Sequence, residues 1–150
     1  MKTLLASIAG TLAILAITTT AAIAKPGWSE DFTKAAAQAK EEKKLLLVDF
    51  TGSDWCGWCI KLDKEVFSKP EFSDYAKKNL ILVEFDFTSG GEPKSKEFGK
   101  LQAKMFKDYN VEGFPTVIVL NADGKKVGEL PYMPGGPAAF IAALDKLKGK

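Results

Sequence analysis

The chain predicts an α/β domain, a three-layer α/β/α sandwich around a central mixed sheet of about four strands. Three observations predict it. Short β-branched and apolar runs (Leu45 to Phe50, Leu80 to Phe87, Thr116 to Leu120) alternate with segments of helical period. A turn sequence, Asn121-Ala122-Asp123-Gly124, joins the third run to a fourth, Lys126 to Leu130, as a hairpin, which makes the sheet mixed. An amphipathic stretch, Ala138 to Leu147, then closes the chain as a last helix.

The elements follow in order. Met1-Lys2, a mostly apolar segment from Leu4 to Ile17 and the small-residue tail Ala22-Ile23-Ala24 have the three parts of a secretory signal peptide, with cleavage expected after Ala24. The apolar run is short for a membrane span and is interrupted by Ser7, Gly10 and Thr11. Residues 25–150 then form one domain, placed in the periplasm or secreted. After the linker Lys25-Pro26-Gly27, Ser29 is expected to cap a helix whose first turn carries Glu30 and Asp31. Its apolar stripe is Phe32, Ala35, Ala36 and Ala39. Leu45 to Phe50 reads as a buried strand, and a helical pattern from Ile60 to Phe67 follows.

Pro70 opens a short helix with Phe72, Tyr75 and Ala76 inward. The strand Leu80 to Phe87 sets Val83, Phe85 and Phe87 on one side and Leu82, Glu84 and Asp86 on the other. A polar loop, Thr88 to Pro93, leads to a helix from about Ser95 to Lys107, with Phe98, Leu101, Met105 and Phe106 inward. A loop rich in Pro and Gly, Pro131 to Pro137, separates the hairpin from the last helix.

Chemistry concentrates in Trp55-Cys56-Gly57-Trp58-Cys59, between a strand and a helix. The first cysteine falls at a helix N-terminus, where unpaired N–H groups and the macrodipole favour a thiolate. The second lies one turn on, within reach to close a disulfide and to resolve a mixed one. The chain has no other cysteine. Closing so short a loop removes little chain entropy, so stability is a poor reason for the pair.

Other classes lose support. The chain carries 21 basic and 19 acidic residues, and loss of residues 1–24 removes only one lysine, so no electrostatic case exists for nucleic acid or membrane-surface binding. With no histidine, two thiolates supply half a zinc shell and no metal is expected. Ile60 stands where covalent haem attachment needs histidine, and no glycine-rich loop follows a strand, so no cofactor is expected.

With these motifs the chain resembles the thioredoxin superfamily, and most of all exported bacterial thioredoxin-like proteins of the thiol:disulfide interchange type. The likeness spans about residues 28–148, on Val48-Asp49-Phe50, Trp55 to Lys61, and Val111-Glu112-Gly113-Phe114-Pro115-Thr116. It implies that Cys56 attacks and Cys59 resolves, that Pro115 is a cis-proline beside them, and that the backbone of Phe114 pairs with an extended substrate segment. Asp49 resembles the family's buried acid that assists proton transfer at the resolving cysteine. Cys56 lies seven positions after it, one more than in thioredoxins, so Asp49 keeps its place if the extra residue is absorbed before Trp55.

Trp55 reads as either a substrate-facing or a packed aromatic. Gly57 and Trp58, between the cysteines, are assigned to substrate contact. Phe114, Met133 and Gly135 or Gly136 are candidates for an apolar rim or for packing and the turn alone, and Lys61 for positive charge near the sulfurs or, more often at such a position, a solvated helix face. The implied partners are protein disulfides and a membrane electron donor, acting on a monomer. Strongly oxidising members carry a histidine between the cysteines; its absence here leans the expected direction to reductase or isomerase. The alternative is a redox-inert binding or chaperone-like module with a structural disulfide.

Overall fold

A computed structural model describes residues 25–149, so the expected signal peptide lies outside the described residues. Five strands form one sheet: β1 (Trp28–Ser29), β2 (Leu45–Thr51), β3 (Leu80–Asp86), β4 (Thr116–Leu120) and β5 (Lys126–Leu130). Their spatial order is β1-β3-β2-β4-β5. β1 and β2 run parallel to β3, whereas β4 lies antiparallel to both β2 and β5. The helices are α1 (Phe32–Glu42), α2 (Gly57–Leu62), α3 (Pro70–Asn79), α4 (Gly99–Asp108) and α5 (Gly136–Asp145). A π-helical turn, Asp63–Phe67, continues α2.

The fifth strand and the start of α1 correct the sequence reading together. Ser29 belongs to β1, paired with Val83, and Trp28 pairs with Leu82. The cap is Asp31, whose carboxylate accepts the N–H of Lys34 at 3.0 Å. Ser29 Oγ instead accepts from the N–H of Asp31, so the helix starts beyond the two acids assigned to its first turn. α4 also starts late, at Gly99: the hydroxyl of Ser95 accepts the N–H of Phe98 and holds residues 95–98 as a turn. α5 begins earlier than expected, at Gly136 after the positive-φ Gly135.

The two-residue period of β2 divides the interior. Leu46, Val48 and Phe50 point to one face and pack with Val83, Phe85 and Phe87 of the neighbouring chain segment, Ile118 and Leu120 of β4, Ala35 and Ala39 of α1, and Met105 of α4. Leu45 and Leu47 point to the opposite face, where Leu62, Val66 and Phe67 meet Phe72, Phe140 and Leu144. α2, α3 and α5 therefore cover one side of the sheet, and α1 and α4 the other. Asp49 shares its parity with Leu45 and Leu47, so it lies on the α2 side.

Candidate active site

β2 ends at Thr51, and the chain turns through Gly52 to Trp55 into α2. The N–H of Cys56 donates to the carbonyl of Gly52 at 2.9 Å, which closes this turn. Ser53 anchors it from outside: its N–H and its hydroxyl donate to the carboxylate of Asp86 at 2.9 and 2.6 Å. Lys94 pairs with both Asp54 (2.6 Å) and Asp86 (3.0 Å).

Cys56 and Cys59 form a disulfide, their Cα atoms 5.2 Å apart. Cys56 is the N-cap of α2, in extended conformation, and its Sγ accepts the N–H of Cys59 at 3.2 Å. The first sulfur therefore receives a helix-terminal N–H, as an acidified thiol requires. Both cysteines are nearly covered, 6% and 4% exposed, so the reactive pair lies at the floor of the site.

The walls are aromatic. Trp55 is both packed and exposed: its Nε1–H donates to the carbonyl of Phe87 at 2.8 Å, its ring meets Phe114 edge-on at 5.6 Å, and 41% of it faces solvent. Gly52 makes room for it, since a Cβ there would overlap the indole. Trp58 is 58% exposed and leans on Tyr132 at 5.1 Å, with the Lys61 ammonium 5.1 Å from each ring. Gly57 is exposed, with open space where a side chain would stand. The Phe114–Pro115 peptide is cis. The pairing of Phe50 with Thr116 brings this peptide to the end of β2 from which the cysteine turn departs. Met133 packs partly into the core, and Gly135 and Gly136 take positive φ as the N-cap and first residue of α5.

Beneath Cys59 a cavity of about 230 Å³ is lined by Asp49, Thr51, Glu84, Asp63 and Lys25 among others. Asp49 is buried, and its Oδ1 has no hydrogen-bond partner among the described residues. Burial pushes its carboxyl up to about 8; Glu84 and Asp86 add to the rise and Lys25 opposes it. Glu84 pairs with Asp49 in register across β2 and β3, and burial raises its carboxyl too.

A carboxyl held protonated by the fold contributes stability fully present below about pH 4 and gone above about pH 8, because the unfolded chain loses that proton first. An Asp49→Asn chain, free of this penalty, is expected to gain stability relative to the wild type across that window, by up to about 1.4 kcal/mol per pH unit. Urea unfolding of both chains at several pH values checks this; a difference that stays flat with pH counts against it.

The sequence reading missed Lys25, Asp63 and Glu84 as lining of the cavity shared with Cys59, and Tyr132 as the ring against Trp58. The alternation that set Glu84 and Asp86 on one side of β3 was the available signal for Glu84. Nothing in the sequence ties Lys25 to Asp63.

A sheet of this order, a redox pair at the start of the helix after its central strand and a cis-proline just before the adjoining strand define a thiol–disulfide oxidoreductase. The family described as Thioredoxin-like domain matches residues 32–148, and the chain belongs to it. It is 34% identical over 115 residues to the disulfide bond reductase DsbH of Chlamydia pneumoniae, covering 77% of this chain and 69% of that protein. It is 30% identical over 121 residues to the thiol:disulfide interchange protein DsbD of Cronobacter sakazakii, covering 79% of this chain but 19% of that one. A solved structure titled DsbH oxidoreductase superposes with a TM-score of 0.74 at 30% identity, over 91% of this chain and 94% of that one.

Proposed function

We propose that the protein is an exported reductase of protein disulfides. In its reduced form, the Cys56 thiolate attacks one sulfur of a substrate disulfide and expels the other as a thiolate, which takes up a proton. Cys59 gives its proton to Asp49 and attacks the Cys56 sulfur; the second substrate sulfur leaves, and the pair is left oxidised. Two electrons pass to the substrate, and a dithiol donor at the membrane returns them to Cys56 and Cys59. Trp55, Gly57 and Trp58 contact the substrate on one side of the pair, and the backbone of Phe114 before Pro115 pairs with it on the other. The chain acts as a monomer after cleavage near Ala24, in the periplasm or outside the cell.

The observation that carries this reading is the Cys56 sulfur at the start of α2, receiving the Cys59 N–H, with Asp49 in the cavity under Cys59. The reducing direction rests on a chain without histidine and on the similarity to a protein named as a disulfide bond reductase. The equilibrium potential of the pair in glutathione buffers, with insulin reduction as the activity, tests both parts. The potential is expected near about −270 mV rather than the roughly −120 mV of a strong oxidant. A pair that stays oxidised until the domain unfolds would instead be structural, as in a redox-inert binding module.

A further inference from the structure

Lys25 is delivered to the redox site by the arm that precedes β1, and its environment is not that of a surface lysine. Its Nζ pairs with the carboxylate of Asp63 and lies 3.9 Å from that of Glu84. The rings of Trp28 and Phe67 stand 4.7 and 5.2 Å from it. It lines the same cavity as Asp49 and Cys59. Three acids from three elements (Asp49 of β2, Glu84 of β3 and Asp63 of the π-turn) thus face one ammonium within this pocket. Lys64, which also lines it, is exposed.

We propose that Lys25 is a positioning residue for the resolving step: its ammonium, clamped at the cavity by Asp63 and Glu84, holds Asp49 ready to accept the proton of Cys59. This rests on the exchange reading above. Asp49 and Glu84 stand side by side in register on one face, and in that geometry each disfavours the other's charge. A cation lining the same cavity acts against burial and Glu84 and favours the ionised form of Asp49. The other charges near these acids are Asp86, which opposes ionisation of both, and Glu30 and Lys94, which act on Glu84 with opposite signs. Lys94 is already engaged by Asp54 and Asp86 at the outer loop, which leaves Lys25 as the ammonium committed to the pocket.

The test is the pH profile of single-turnover insulin reduction by the reduced full chain, in Lys25→Met and Lys25→Arg variants with Asp49 intact and with Asp49→Asn. Methionine keeps the packing against Trp28 and Phe67 and removes only the charge. Lys25→Met is expected to move the midpoint of the profile up by about one pH unit, about tenfold slower at pH 7, and Lys25→Arg to restore it. With Asp49→Asn the Lys25→Met change is expected to move nothing. An unchanged midpoint, or the same shift with and without Asp49, overturns the proposal. A wild-type chain inert toward insulin overturns the redox reading itself, and this one with it.

Discussion

Replacing Cys59 with serine is expected to leave the protein covalently joined to its substrates through Cys56. The attacking sulfur keeps its position at the start of α2, so the mixed disulfide still forms. A serine hydroxyl is a poor nucleophile toward sulfur, so release of the reduced substrate fails. Turnover should fall by at least about a thousandfold, the scale on which removal of a central catalytic group acts. Intact-mass measurement under non-reducing conditions should show adducts that dithiothreitol releases. Cys56→Ser should show none, since Cys59 lies inside the helix rather than at its N-cap. Adducts that form equally through either cysteine would reverse the assignment of roles.

The second large effect concerns the side of the sheet that carries the redox helix. Phe140 of α5 is fully buried; it meets Phe67 edge-on at 5.5 Å and Phe72 at 6.2 Å. It therefore joins the last helix to the π-turn that extends α2 and to α3. Phe140→Ala should cost about 3–5 kcal/mol, from lost burial and the cavity left among rings that cannot collapse into it. Against a total of about 5–15 kcal/mol for a domain of this size, that is a large share. A fall in Tm of about 10–20 °C, read by calorimetry, is expected. A loss under 1 kcal/mol would mean that α5 repacks.

The sheet and most helices were legible because their residues carry the period of their elements. β2 and β4 are apolar at every position save Asp49 and the threonines, and the Asn121–Gly124 turn declares the hairpin. β1 was illegible for the opposite reason. Two residues hold no period, and Trp28 is set in place by Leu82, more than fifty positions away. Ser29 is a fair helix cap by type, and only its place in the sheet passes that task to Asp31. At the site, the cysteines and the Phe114–Pro115 segment announced themselves by motif. The polar pocket below did not, because β2, β3, the π-turn and the N-terminal arm each contribute one charged residue, and no local pattern links them.

The sheet has two rims, and each is guarded differently. On one side β1 offers two residues to any incoming chain. On the other, β5 turns Lys126 and Glu129 to solvent as a pair 2.6 Å apart, and Gly128 accepts the side chain of Leu147 over its backbone. A strand that tried to extend the sheet would find too little backbone at the first rim and would have to strip water from two ions at the second. A redox carrier must meet many extended, half-folded polypeptides. With both rims guarded, contact with such chains is expected at the mouth above the sulfurs rather than along the sheet margins.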